Sequence, residues 1–186
     1  MKRMALWAAL LLAAQGAAAE VREEHAQRPY TVQPQPGETL AQALTAATPI
    51  VVDGKRFRGY TRWNVRWTYR WHREASGRCR ITEVTTRLST EVQLPQLHGA
   101  SAQQQAAFDR YVQALSHHEQ GHVQIGRDAA RTIDGAIASL PEAADCATLE
   151  QDANALGHRL LREHTELEKD YDRTTRYGVT QGVRLE

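Results

Sequence analysis

The spacing of hydrophobic positions changes along this chain, and each change marks an element. In "YTRWNVRWTYR", Thr61, Trp63, Val65, Trp67 and Tyr69 alternate with Arg62, Asn64, Arg66, Thr68 and Arg70. That period of two, with aromatic residues on one side, predicts a half-buried strand. A turn at "EASGR" leads to "CRITEVTTRLSTEVQLP", where Ile81, Glu83, Thr85 and Arg87 alternate with Thr82, Val84, Thr86 and Leu88. The two segments are expected to pair antiparallel, with Pro95 ending the second. Upstream, residues 20–35 are polar, and only Tyr30-Thr31-Val32 reads as a short strand that could join the sheet. "PGETLAQAL" predicts a helix start near Glu38 or Thr39, with Leu40 and Leu44 on one face. Asp53-Gly54 is a turn signal.

From Ser101 onward the spacing becomes helical. Ser101 and Gln104 have the layout of a capping box. Phe108, Tyr111, Val112 and Leu115 follow, and the stripe resumes at Ala129, Ile133, Ile137 and Leu140 before Pro141 stops it. One long helix over residues 102–140 is expected. After "PEAAD", Cys146, Leu149, Ala153, Leu156, Leu160, Leu167 and Tyr171 predict a second, over 145–172. The expected fold is α+β: a small antiparallel sheet packed on a long antiparallel helical hairpin.

Composition bounds the function. The N-terminus has a basic start (Lys2, Arg3), an apolar run to about Ala14, and Ala17-Ala18-Ala19 before Glu20. This is the layout of a signal peptide over residues 1–19, cleaved after Ala19. Residues 20–186 then form one domain, periplasmic or secreted, with no membrane span left after cleavage. Net charge is +1, which gives no electrostatic reason to expect nucleic acid. The arginines between the aromatic residues of the first strand therefore read as its solvated face. Cys79 and Cys146 are the only cysteines, and in an exported chain an even pair suggests one disulfide.

Candidate chemistry lies in the first long helix. "LSHHEQGHVQIG" contains H-E-x-x-H, with His118, Glu119 and His122 where the apolar stripe should continue. Residues four apart on a helix lie one above the other, so two imidazoles there can converge on Zn²⁺, and Glu119 can reach a water as general base. A third ligand must come from elsewhere. Asp128 lies six residues beyond His122, but an unbroken helix would point it away. With a hairpin centred near residue 142, His122 faces about 162 and His118 about 166. His164 is the polar interruption in the second stripe there and is the favoured third ligand, with Glu163 as its neighbour. Asp172 is a residue that could orient a ligand histidine, and Tyr177 one that could stabilise an oxyanion.

The same residues resemble a family. "YTRWNVRWTYRW", "GRCRIT", "LPQL", "HHEQGH" and "YDRTTRYGVTQG" are similar to segments of the bacterial DUF922 proteins, described as predicted secreted zinc-dependent proteases. The resemblance spans nearly the whole mature chain. It implies a metal site at His118, Glu119 and His122, a histidine at the place of His164, and paired cysteines at Cys79 and Cys146. Family members often have His-Gly near the C-terminus, where this chain has Tyr177-Gly178. The expected function is a zinc metallopeptidase acting on a peptide or protein. The alternatives are an envelope protein with a structural zinc, and a binding module that exposes Trp63 and Trp67.

Overall fold

The computed structural model describes residues 17–185, so most of the expected signal segment, residues 1–16, lies outside the described residues. The described residues are α+β, with three α-helices and a small mixed sheet. In chain order the elements are β1 (Ala18–Gln27), β2 (Tyr30–Val32), α1 (Leu40–Ala47), β3 (Val51–Val52), β4 (Lys55–Arg56), β5 (Tyr60–Arg73), β6 (Cys79–Gln93), β7 (Pro95–Leu97), α2 (Ala102–Ala138) and α3 (Cys146–Thr175). A 3₁₀ turn, Val179–Gln181, follows α3.

The sheet runs β1-β6-β5. β5 and β6 pair antiparallel from Tyr60 opposite Gln93 to Arg73 opposite Cys79, with a bulge at Arg70/Trp71. The expectation of a purely antiparallel sheet needs correction, because β1 lies parallel to β6, with Ala18 opposite Glu83 and Gln27 opposite Val92. β1 lies at the sheet's edge and is exposed along nearly its whole length. No apolar alternation is needed on such a strand, so the pattern gave no sign of it. β2 does not join this sheet either. It pairs with β7, which Pro95 opens.

Local signals account for the helix starts. Thr39 caps α1 and Ser101 caps α2, each through a capping box closed by a glutamine three residues on. Asp145 caps α3 by accepting from the Thr148 amide at 2.8 Å. α2 and α3 pack on each other and on the sheet. Val65, Val84 and Leu88 of the strands meet Ile133, Ile137, Leu149 and Ala153 of the helices in the main core. A second cluster joins Val32, Leu40 and Leu44 to Phe108, Tyr111 and Leu115.

The aromatic side of β5 faces these helices. A Cβ on Gly126 would come within 2.9 Å of the Trp63 ring, and one on Gly157 within 2.6 Å of the Trp67 ring. The glycines let both indoles lie against helix backbone, and Trp67 Nε1 donates to Asn154 Oδ1 at 3.3 Å. These rings are packing residues rather than an exposed binding platform. The chain between α2 and α3 also touches the sheet, since Ala143 and Cys79 exchange backbone hydrogen bonds at 2.9 and 3.1 Å.

Beside that bridge, Cys79 and Cys146 form a disulfide across a sequence separation of 67. Closing a loop of that length stabilises the folded state by about 4 kcal/mol in the chain-entropy model. Cys79→Ser/Cys146→Ser is expected to lower the unfolding free energy by about that amount, measured by urea titration under oxidising conditions. A loss below about 1 kcal/mol would show that the bridge contributes little.

Candidate metal centre

The long helix α2 places His118, Glu119 and His122 on its inward face. All three are buried, at 4, 3 and 6 % exposure, so the polar gap in the apolar stripe is real. What fills the space opposite is Asp172 of α3. Its Oδ1 lies 3.2 Å from His118 Nε2 and 3.1 Å from His122 Nε2. Donor atoms of His118, His122 and Asp172 all fall within 4.8 Å of one another, and this group can hold a metal ion.

His164, the favoured third ligand, is not in that group. It is buried with Nδ1 hydrogen-bonded to its own helix at Leu160 O, 2.9 Å away. The difference is one of register. His118 meets Asp172 and His122 meets Glu168, so the pairing centres on residue 145 rather than 142. The connection leaves α2 to bond with Cys79 before α3 begins, and that detour leaves His164 short of the motif, on the turn side of His122. Glu163 is exposed and pairs with Arg159. Asp128 is also exposed and accepts from Gln124 at 2.9 Å.

The donor set is held from several sides. His118 Nδ1 lies 2.9 Å from Gln181 Oε1. If Nδ1 donates there, Nε2 turns a lone pair towards Asp172. His122 Nδ1 is buried without an aligned partner, although Glu168 Oε1 stands 3.4 Å away. Tyr171 stacks on His118 with centroids 5.1 Å apart and planes 10° apart. Its hydroxyl donates to His118 O at 3.1 Å. Gly121, inside the motif, makes this possible, because a Cβ there would fall on the Tyr171 hydroxyl.

Lone pairs and a carboxylate oxygen facing one another repel unless a cation or proton stands among them. Four ligands placed tetrahedrally at about 2.0 Å from Zn²⁺ lie about 3.3 Å apart. The two Asp172 separations of 3.1 and 3.2 Å match that spacing, and all three donors lie within 4.8 Å of one another, so the group could hold an ion.

Glu119 sits beside this group but outside it. Its Oε2 accepts from Thr61 Oγ1 at 2.7 Å. A Cβ on Gly59 would come within 2.6 Å of Oε1, so glycine there leaves room for the carboxylate. Burial pushes its pKa up, against the pull of Thr61 and the two histidines. His118, Glu119, His122 and Asp172 all line a cleft of about 350 Å³, within the usual range for ligand sites. Tyr177 is exposed at the same cleft.

Thr61, Gly59, Gly121, Tyr171 and Gln181 were not singled out for the site from the sequence. One signal was present: "YDRTTRYGVTQG" stood out in the resemblance, and Tyr171, Asp172, Gly178 and Gln181 come from it. A Cβ on Gly178 would meet His118 Cγ at 3.1 Å, so that segment forms a wall of the site.

Fold and site together define an α+β protein with a His-His-Asp donor group beside a buried glutamate, at the wall of a cleft. The chain belongs to the DUF922 family, whose model, described as a bacterial protein of unknown function, matches residues 27–178. No curated protein and no solved structure matches the chain. Among the described residues no helix is long and apolar enough to cross a membrane.

The metal-free protein should show the charge pairing as a pH window. Burial alone would lower the pKa of His122, but Asp172 and Glu168 beside it raise it from 6.5 to about 9. Burial alone would raise that of Asp172, but His118 and His122 pull it from 3.8 down to about 2. The His122 contribution to stability is complete below pH 6.5 and is lost as pH rises through about 9. The Asp172 contribution is complete above pH 3.8 and is lost as pH falls through about 2. Chelator-treated protein should therefore lose most stability on replacement of Asp172 by Asn between pH 3.8 and 6.5, and lose less outside that window. Urea titrations of both proteins across pH check this. A wild-type advantage for Asp172 that does not change across that range and above pH 9 would contradict it.

Proposed function

We propose that this protein is a zinc-dependent hydrolase of peptide bonds that works in the periplasm or outside the cell. The reading takes α2 and α3 as an antiparallel helical hairpin that presents H-E-x-x-H to the C-terminal end of α3. The observation that carries it is the approach of His118 Nε2 and His122 Nε2 to one oxygen of Asp172, next to Glu119, in an open cleft. Export is supported by the signal-like N-terminus and by the disulfide, which persists in oxidising compartments.

His118, His122 and Asp172 would hold the ion. Bound Zn²⁺ supplies Lewis acidity, polarising the scissile carbonyl and lowering the pKa of water. Glu119 takes the proton from the attacking water and passes it to the leaving amine. Its raised pKa makes it a stronger base for taking that proton. Thr61 fixes Oε2, which leaves Oε1 as the oxygen that handles the proton. Gln181 and Tyr171 hold the His118 ring, so that its Nε2 keeps its direction.

Purified protein is expected to hold one zinc per chain by elemental analysis. Asp172→Ala and His122→Ala should abolish this, and His164→Ala should not. A folded His164→Ala protein without zinc would restore His164 as the ligand in place of Asp172. Wild-type protein that holds no zinc removes the reading altogether.

Glu119→Gln is expected to keep the zinc and lose hydrolysis of a denatured protein substrate by about 10²-fold or more. Equal rates in the two proteins would remove Glu119 as the base.

A further inference from the structure

Tyr177 adopts a backbone conformation that residues with a side chain avoid. Arg176 and Tyr177 are both left-handed, at φ 51° and 54°, and Gly178 follows at φ 81°. A helix needs only one left-handed residue to stop, and α3 has it in Arg176. The second is surplus to the cap. Such outliers persist where their surroundings over-determine them, and they cluster where ligands are handled. Here the surroundings are hydrogen bonds: Tyr177 N–H donates to Asp172 O at 2.8 Å, and Gly178 N–H to Thr175 Oγ1 at 3.3 Å.

This backbone holds the Tyr177 ring over the cleft. Tyr177 is 55 % exposed, so it is no core residue. Its one aromatic neighbour among the described residues is Phe57, with centroids 5.8 Å apart and planes tilted by 49°. Phe57 also lines the cleft, two residues before Gly59, which abuts Glu119. Tyr177 comes one residue before Gly178, which abuts His118. The two rings thus meet at the cleft, each within two residues of a glycine that abuts the motif. Val52, Leu115 and Val183 line the same space.

We propose that Phe57 and Tyr177 form the specificity subsite of this cleft. The pair receives a large apolar side chain, aromatic or branched aliphatic, from the peptide residue next to the bond that Glu119 serves. This rests on the reading of the cleft as a peptide-binding site. A half-buried Phe57 beside an exposed Tyr177 offers a flat apolar face at little entropic cost, and a side chain laid on it gains burial that alanine cannot.

Binding separates this proposal from hydrolysis. Zinc-loaded Glu119→Gln protein would be titrated calorimetrically with acetyl-Ala-Ala-X-Ala-amide peptides, where X is Phe, Leu, Ala or Asp. Phe and Leu are expected to bind about tenfold or more tightly than Ala. Adding Tyr177→Ala or Phe57→Ala should bring that ratio to within about twofold of unity, while Tyr177→Phe should preserve it. An unchanged melting temperature would show that the half-exposed ring was removed without loss of fold. Equal affinity for Phe and Ala, a preference for Asp drawn by Arg56 and Arg58 in the cleft, no binding of any peptide, or a preference that survives Tyr177→Ala would overturn the subsite. The two readings fail separately. Cleavage of a protein substrate without apolar preference removes the subsite alone, and apolar preference without cleavage removes the hydrolase alone.

Discussion

Two imidazole nitrogens and one carboxylate oxygen meet within hydrogen-bonding distance between α2 and α3, and most of what surrounds them serves that encounter. Burying such groups costs several kcal/mol unless charge is compensated and the remaining donors and acceptors are paired. The protein meets this with specific neighbours. Gln181 faces the far nitrogen of His118, Tyr171 covers its ring, and Thr61 ties down the adjacent glutamate. Glycines at 59, 121 and 178 give the space in which these neighbours can come so close. The apolar cores on either side of the site, around Ile133 and around Phe108, hold α2 in place while a polar stretch of the same helix is kept dry.

Asp172 has a second duty. Its carboxylate faces the histidines, and its backbone carbonyl accepts the Tyr177 amide that closes the helix. Helix termination and donor placement are therefore one local event. This explains why the segment after α3 is irregular yet well tied, with Thr175 Oγ1 accepting from Gly178 and Thr180 Oγ1 donating back to Thr175 O.

Much of this could be read from residues alone, where the determining interactions are local. Capping boxes at Ser101 and Thr39, the apolar stripes, and the i, i+4 histidines all follow from neighbours in sequence. The alternation over Thr61–Tyr69 likewise gave β5. Other features depend on backbone pairing between distant segments, which side-chain pattern does not encode. β1 is a polar edge strand held by its ladder to β6. Ala143 bonds to Cys79 and so shifts where α3 begins. That shift moved the third donor from the position of His164 to that of Asp172, two helical turns on. The histidine in the second stripe was a sound place to look, but its Nδ1 is hydrogen-bonded within its own helix.

The disulfide divides the site in a way that distance alone does not reveal. Residues 79–146 form a covalently closed loop, and His118, Glu119 and His122 all lie inside it. Asp172, Tyr171 and Gln181 lie outside, on an arm that leaves the loop at Cys146 and is fixed only by packing and hydrogen bonds. Fraying of that arm would withdraw one donor and the ring over His118 while the motif helix stayed in place. Ion affinity and arm docking are then two faces of one equilibrium. A filled site would act as a clasp for the C-terminus, and a partner that pulled on the arm would release the ion without unfolding the loop.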